Sequence, residues 1–140
     1  MFDFILLAVD GSEHANRAAK TAANLARLAN SKEIRIVVAF DPVPSYLGEP
    51  NLNQVIASRK READRILTDA KALIGTTPAQ LHEEILEGPV ADAILNVAAT
   101  RKVDVIVMGS RGLGRLEGAL LGSNSQKVVS LASCPVLIVR

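Results

Sequence analysis

The sequence predicts an α/β fold of three layers, α/β/α, around a five-stranded parallel sheet with strand order 3-2-1-4-5. Two observations carry the class. Five short apolar runs rich in Val, Ile and Leu alternate with segments of helical periodicity, and strands buried on both faces of a parallel sheet read as such near-continuous runs. A glycine-rich turn, Gly109-Ser110-Arg111-Gly112 and then Gly122-Ser123 after nine intervening residues, joins the fourth apolar run to the last helical segment. The strand order is an inference from architecture. It would set the ends of strands 1 and 4 side by side at the switch point where doubly wound sheets bind ligands. Asp10 and Gly109 would then face one crevice.

The elements follow in order. Phe4 to Val9 reads as the first strand, closed by Asp10-Gly11-Ser12, with Ser12 as N-cap of the next helix. That helix runs to about Asn30, with Ala15, Ala18, Ala22, Leu25, Ala26 and Ala29 on one face and Arg17, Lys20, Asn24 and Arg27 on the other. Ile34 to Phe40 is the second strand, stopped by Asp41-Pro42-Val43-Pro44, and a loop continues through Gly48-Glu49-Pro50. A long helix covers roughly Leu52 to Ile74, its apolar stripe Ile56, Ala63, Ile66, Leu67, Ala70, Leu73 and Ile74, with Gly75 ending it. The cluster Arg59-Lys60-Arg61-Glu62 within it reads as a solvated face. Leu81 to Leu86 alternates as a half-exposed third strand. Gly88-Pro89 opens the third helix with Pro at the tolerated first position, and Val90, Ile94, Val97 and Ala98 form its buried face. The fourth strand is Val103 to Met108. After the glycine turn a fourth helix extends to about Ser133, and Val136 to Val139 is the last strand.

Composition bounds the function. A chain of 140 residues is one domain long, spanning residues 1–140, and buries roughly 70% of its unfolded surface. The net charge of +1, the lack of a long basic stretch and the sparse aromatics Phe2, Phe4, Phe40 and Tyr46 argue against nucleic acid as a partner. Cys134 is the only cysteine, so no internal disulfide forms, which fits a reducing cytoplasm. It reads as a small buried hydrophobe rather than a reactive thiol. The start of the chain lacks a basic leader and a cleavage site, and Asp10 ends its short apolar run, so neither a signal peptide nor membrane insertion is expected.

The glycine turn has the outline of a phosphate site. Gly lets backbone N–H groups approach an anion, and the unpaired N–H groups of a helix N-terminus favour negative charge. Two better-known motifs fail. Gly112-Leu113-Gly114 followed by Gly118 lacks the later strand ending in an acid that a dinucleotide fingerprint requires, and Gly109 and Gly114 have P-loop spacing but Arg115 and Leu116 stand where Lys and Ser/Thr must be.

The residues resemble those of the universal stress protein family over the whole chain. Ile5-Leu6-Leu7-Ala8-Val9-Asp10-Gly11-Ser12 is similar to the family's opening strand and turn. Val107-Met108-Gly109-Ser110-Arg111-Gly112 with Gly122-Ser123 is similar to the glycine motif of its ATP-binding branch, and Cys134-Pro135-Val136-Leu137-Ile138-Val139-Arg140 to its closing strand. The resemblance implies a Rossmann-like domain, of the adenine nucleotide alpha hydrolase type, that binds ATP as a homodimer. By position it implies Asp10 at the ribose or nearby adenine edge, backbone near Val38 and Ala39 in the adenine pocket, and Met108 packed near the nucleotide. Gly109, Arg111 and Gly112 would hold the phosphates from one side, and Gly122, Ser123 and Ser125 from the helix side. Asn124 departs from the small apolar residue usual between the two hydroxyls.

Simpler roles stand beside these. Gly109 and Gly112 alone serve a turn as readily as a phosphate, Asp10 can merely begin the turn to Ser12, and Arg111 and Arg115 can be loop charges. His14 and His82 have no metal-ligating or catalytic partner at recognisable spacing. The wholly apolar last strand, at a sheet edge, invites a two-fold dimer through Val136 to Val139. The leading expectation is a cytoplasmic, ATP-binding regulatory protein with an unidentified protein partner, the loop from Pro42 to Pro50 ordering over adenine. A slow ATPase or phosphotransferase is the enzymatic alternative, with no assured general base and no clear two-acid site for Mg²⁺. A protein-interaction module without nucleotide is the third.

Overall fold

The computed structural model describes residues 1–112 and 121–140. The elements are β1 (Phe4–Ala8), α1 (Glu13–Ala29), β2 (Glu33–Phe40), a 3-10 turn (Ser45–Leu47), α2 (Asn51–Ile74), β3 (Gln80–Glu87), α3 (Val90–Thr100), β4 (Val105–Gly109), α4 (Ser123–Leu131) and β5 (Val136–Val139). All pairings are parallel, and the sheet order is β3-β2-β1-β4-β5, as predicted.

Strand alternation divides the core into two. Ile5 and Leu7 of β1, Ile34, Ile36 and Val38 of β2 and Val105 and Val107 of β4 face α1 and α2. They meet the alanines of α1 and Ala63, Ile66, Leu67, Ala70 and Ile74 of α2. Leu6, Ala8, Val37, Ile106 and Met108 face the other way, against Ala91, Ile94, Val97 and Ala98 of α3 and Val128 of α4. Each fully buried Leu, Ile or Val side chain contributes about 1.5–3 kcal/mol.

Helix ends follow local chemistry. Ser12 is extended and its Oγ accepts the Ala15 N–H at 3.2 Å. Asn30 closes α1 in the left-handed region at φ 52°. Gly75 ends α2 at φ 65°.

Three local expectations are corrected. Ile56 is 48% exposed, and the buried residues of α2 begin only at Ala63. Pro89 is the N-cap of α3 with extended ψ, not its first helical residue. Arg59 leaves the solvated face: it lies 5.7 Å from the centre of the Phe40 ring and donates to the Asp41 carbonyl, so it ties α2 to the end of β2. Lys60, Arg61 and Glu62 are exposed, as predicted.

Candidate functional site

A crevice opens at the carboxyl ends of β1 and β4, the switch point of the sheet. One lip is the turn after β1. The Val9 N–H still donates to the Val37 carbonyl at 3.0 Å, and then Asp10 leaves the ladder. Asp10 Oδ1 accepts the Ser12 N–H at 2.9 Å, an Asx turn that leads directly into the Ser12 cap. Gly11 adopts φ +85°, a conformation that favours glycine.

The other lip joins the two halves of the glycine motif. The Gly122 N–H donates to the Ser110 carbonyl at 2.7 Å, and Ser125 Oγ donates to that carbonyl at 2.7 Å and lies 3.1 Å from the Gly122 carbonyl. The Ser110 N–H in turn donates to the Val139 carbonyl at 2.7 Å. A Cβ on Gly122 would stand 3.4 Å from Arg111 Cα and 3.7 Å from the Gly112 N, so the halves lie side by side.

Two helix N-termini reach the crevice, and they differ. The start of α1 is closed by Ser12 Oγ. The start of α4 has Gly122 as N-cap and, among the described residues, no side-chain cap. Its first helical bond runs from the Gln126 N–H to the Gly122 carbonyl at 2.9 Å, so the N–H groups of Ser123, Asn124 and Ser125 stand ahead of the ladder. Such an arrangement suits an anion electrostatically.

The crevice gathers Asp10, Ala39, Met108, Gly109, Arg111, Gly112, Gly122, Ser123 and Ser125. The Val38 side chain is 1% exposed in the α1–α2 core, while its neighbours Val37 and Ala39 line the crevice. Ser125 lines it too, but its hydroxyl proton is committed to backbone carbonyls. Glycine at 109 also has a packing reason. A Cβ there would lie 2.7 Å from His14 Cβ and 2.9 Å from the His14 carbonyl carbon, so Gly109 admits α1 against β4. Arg115 lies outside the described residues.

Both histidines have partners that sequence spacing does not show. His14 Nδ1 lies 2.9 Å from Ser110 Oγ, and His82 Nε2 lies 3.2 Å from Glu33 Oε1. Among the described residues no group of three or more His, Cys, Asp or Glu could hold a metal ion. Sequence reasoning also missed Ser110 as the junction of the site and Val90 and Ile94 as its apolar wall. The signal for Ser110 was its place inside the glycine motif; the signal for the wall was the apolar face of α3.

The sequence model of the Universal stress protein family matches residues 1–140. The chain belongs to the universal stress protein family. It is 46% identical over 140 residues to the universal stress protein in the QAH/OAS sulfhydrylase 3' region of Thermus aquaticus, covering 100% of both chains. Its structure is similar to that of the universal stress protein UspA from Lactobacillus plantarum, with a TM-score of 0.88 and 26% identity, covering 99% of this chain and 98% of the other. It is also similar to a universal stress protein solved in complex with cAMP, with a TM-score of 0.71 and 26% identity, covering 99% and 97%. The five-stranded order and the flanking helices are those of this family's Rossmann-like fold. Among the described residues no helix is long and apolar enough to cross a membrane.

Proposed function

We propose that the protein is an ATP-binding regulatory protein that acts as a cytoplasmic homodimer and reports nucleotide occupancy to a protein partner. The observation that carries the nucleotide is the open N-terminus of α4, held against the glycine turn at the sheet's switch point. The family relative in complex with cAMP supports an adenine nucleotide as the ligand class.

The residues present fit such a ligand. The N–H groups of Gly112, Ser123 and Asn124 would donate to phosphate oxygens, with the Ser123 hydroxyl beside them. Arg111 would add positive charge at that end. Asp10 Oδ2 would accept from a ribose hydroxyl while Oδ1 keeps its bond to the Ser12 N–H. Val37, Ala39, Met108 and Val90 supply apolar walls for a base. Gly109 and Ser125 act on the backbone around the ligand. The segment 41–50 leaves β2 just beyond Ala39, which places it to order over the base.

The deciding experiment is thermal unfolding of nucleotide-free protein with ATP, ADP or AMP, each with and without Mg²⁺. Ligand at about 100 times its Kd adds roughly 2.7 kcal/mol of stability, a shift of several degrees for a domain of this size. The largest shift belongs to ATP and is lost in Gly122→Val, whose side chain covers the donors of α4. Slower hydrogen exchange at residues 43–48 with ATP tests the ordering of the loop. No shift with any nucleotide at millimolar concentration refutes the reading and leaves an interaction module.

A further inference from the structure

We propose that His14 is a positioning residue for the phosphate-binding turn, acting through Ser110; the inference rests on the nucleotide reading above. The two residues are 96 positions apart in sequence, and Ser110 Oγ lies 2.9 Å from His14 Nδ1. Ser110 is 2% exposed, so its hydroxyl has no ready water to replace that bond. The same burial excludes a nucleophilic Ser–His pair, because Ser110 is not among the residues lining the crevice and a nucleophile must reach its substrate.

What Ser110 does reach is backbone. Its carbonyl takes the N–H of Gly122 and the hydroxyl of Ser125, each at 2.7 Å. Its N–H is anchored on the Val139 carbonyl of β5. Ser110 therefore joins both halves of the glycine motif to the sheet. His14 stands in the first turn of α1, with its Cβ pressed on the space beside Gly109. The alanine face of α1 fixes that helix on the sheet. The His14–Ser110 bond transfers the helix's position to the turn, and thereby registers the glycine lip of the crevice against the Asp10–Ser12 lip. A site built mainly on backbone N–H donors depends on such support, because backbone donors cannot swing to correct an error.

The test uses the whole chain in four forms: wild type, His14→Ala, Ser110→Ala and His14→Asn, plus the double variant H14A/S110A. Asn offers polar atoms close to the place of Nδ1. Two readouts are taken: ATP affinity by calorimetric titration, and amide hydrogen exchange at Gly122 and Ser110 in nucleotide-free protein. Each alanine variant loses ATP affinity by about five- to tenfold; the double variant is no weaker than the weaker single one, and His14→Asn stays within about twofold of wild type. Exchange at Gly122 accelerates in both alanine variants while Ile66 and Leu67 in α2 keep wild-type rates, which separates a local effect from general destabilisation. Additive losses in the double variant, failure of His14→Asn to rescue, or wild-type exchange at Gly122 in His14→Ala overturn the proposal. If the wild type binds no nucleotide, the nucleotide reading fails. The exchange readout then decides alone whether His14 organises the turn.

Discussion

Asp10 Oδ2 occupies the space that a side chain on Gly112 would need: a Cβ at that position would lie 2.5 Å away. The two lips of the crevice thus meet at a carboxylate and a missing side chain. Gly112→Ala must push the Asp10 carboxylate aside. Because the displaced atom is the end of a side chain, stability changes by less than about 1 kcal/mol. ATP affinity falls about tenfold, because the proposed ribose acceptor and the proposed phosphate turn move together. Calorimetric titration of Gly112→Ala, Asp10→Ala and the double variant checks this; the two losses are non-additive.

Gly109→Ala behaves differently. Its Cβ would meet backbone, 2.9 Å from the His14 carbonyl carbon and 3.0 Å from the Ala15 N. Backbone of a packed helix yields only by shifting α1, so the substitution destabilises the protein by about 1–3 kcal/mol. Denaturant unfolding without nucleotide measures it. A change below about 0.5 kcal/mol would show that α1 moves freely on β4.

The proposed dimer runs through β5, an edge strand by the observed order. Leu137 is 38% exposed there, and Val129 and Leu131 of α4 add exposed apolar surface nearby in the chain. Leu137→Lys places a charge on the edge, which blocks pairing. Sedimentation velocity shows a dimer for the wild type and a monomer for the variant, with unchanged circular dichroism. A monomeric wild type at tens of micromolar removes this part of the proposal.

Arg35 is a buried cation on the sheet, 8% exposed. Its Nη1 lies 3.2 Å from Glu84 Oε2 and its Nη2 3.5 Å from Glu33 Oε1, while Nε has no hydrogen-bond partner. Removing both acids in Glu33→Ala/Glu84→Ala strands the charge and costs about 3 kcal/mol, whereas Arg35→Met changes stability by only about 1 kcal/mol or improves it. Chemical unfolding of both variants separates the two effects.

Burial raises the Cys134 thiol above its ordinary value of 9.0, and the Asp104 carboxylate adds in the same direction. The folded state therefore holds this proton more tightly than the unfolded chain. The stabilisation is complete below the unfolded value and is lost as the pH rises through the folded one. Wild type loses stability above about pH 9 more steeply than Cys134→Ala. At neutral pH the thiol reacts with iodoacetamide more slowly than free cysteine does. Unfolding midpoints across pH 7 to about 10.5 and alkylation followed by mass spectrometry check both halves.

Much of the architecture was legible because its signals are local. Apolar runs, the Ser12 cap and the Gly75 stop each report on a few neighbouring residues. Strand order was an inference from the α/β architecture, and the switch point followed from that order. Side-chain placement was less legible. Val37-Val38-Ala39 is apolar throughout, so the pattern carries no parity and cannot say which residue faces the crevice. Ile56 fits the helical stripe, but only packing between elements decides where the stripe is covered.

The sequence by itself determined the fold class, the order of elements and the presence of a glycine-rich turn between strand and helix, because hydrophobic period and glycine spacing are properties of contiguous residues. Tertiary structure alone decided that Ser110 meets His14, that Glu33 meets His82, and that Gly109 serves helix packing. Those contacts depend on where α1 settles on β4 and how β3 registers on β2. That placement is set by close packing between elements distant in the chain, about which local pattern is silent.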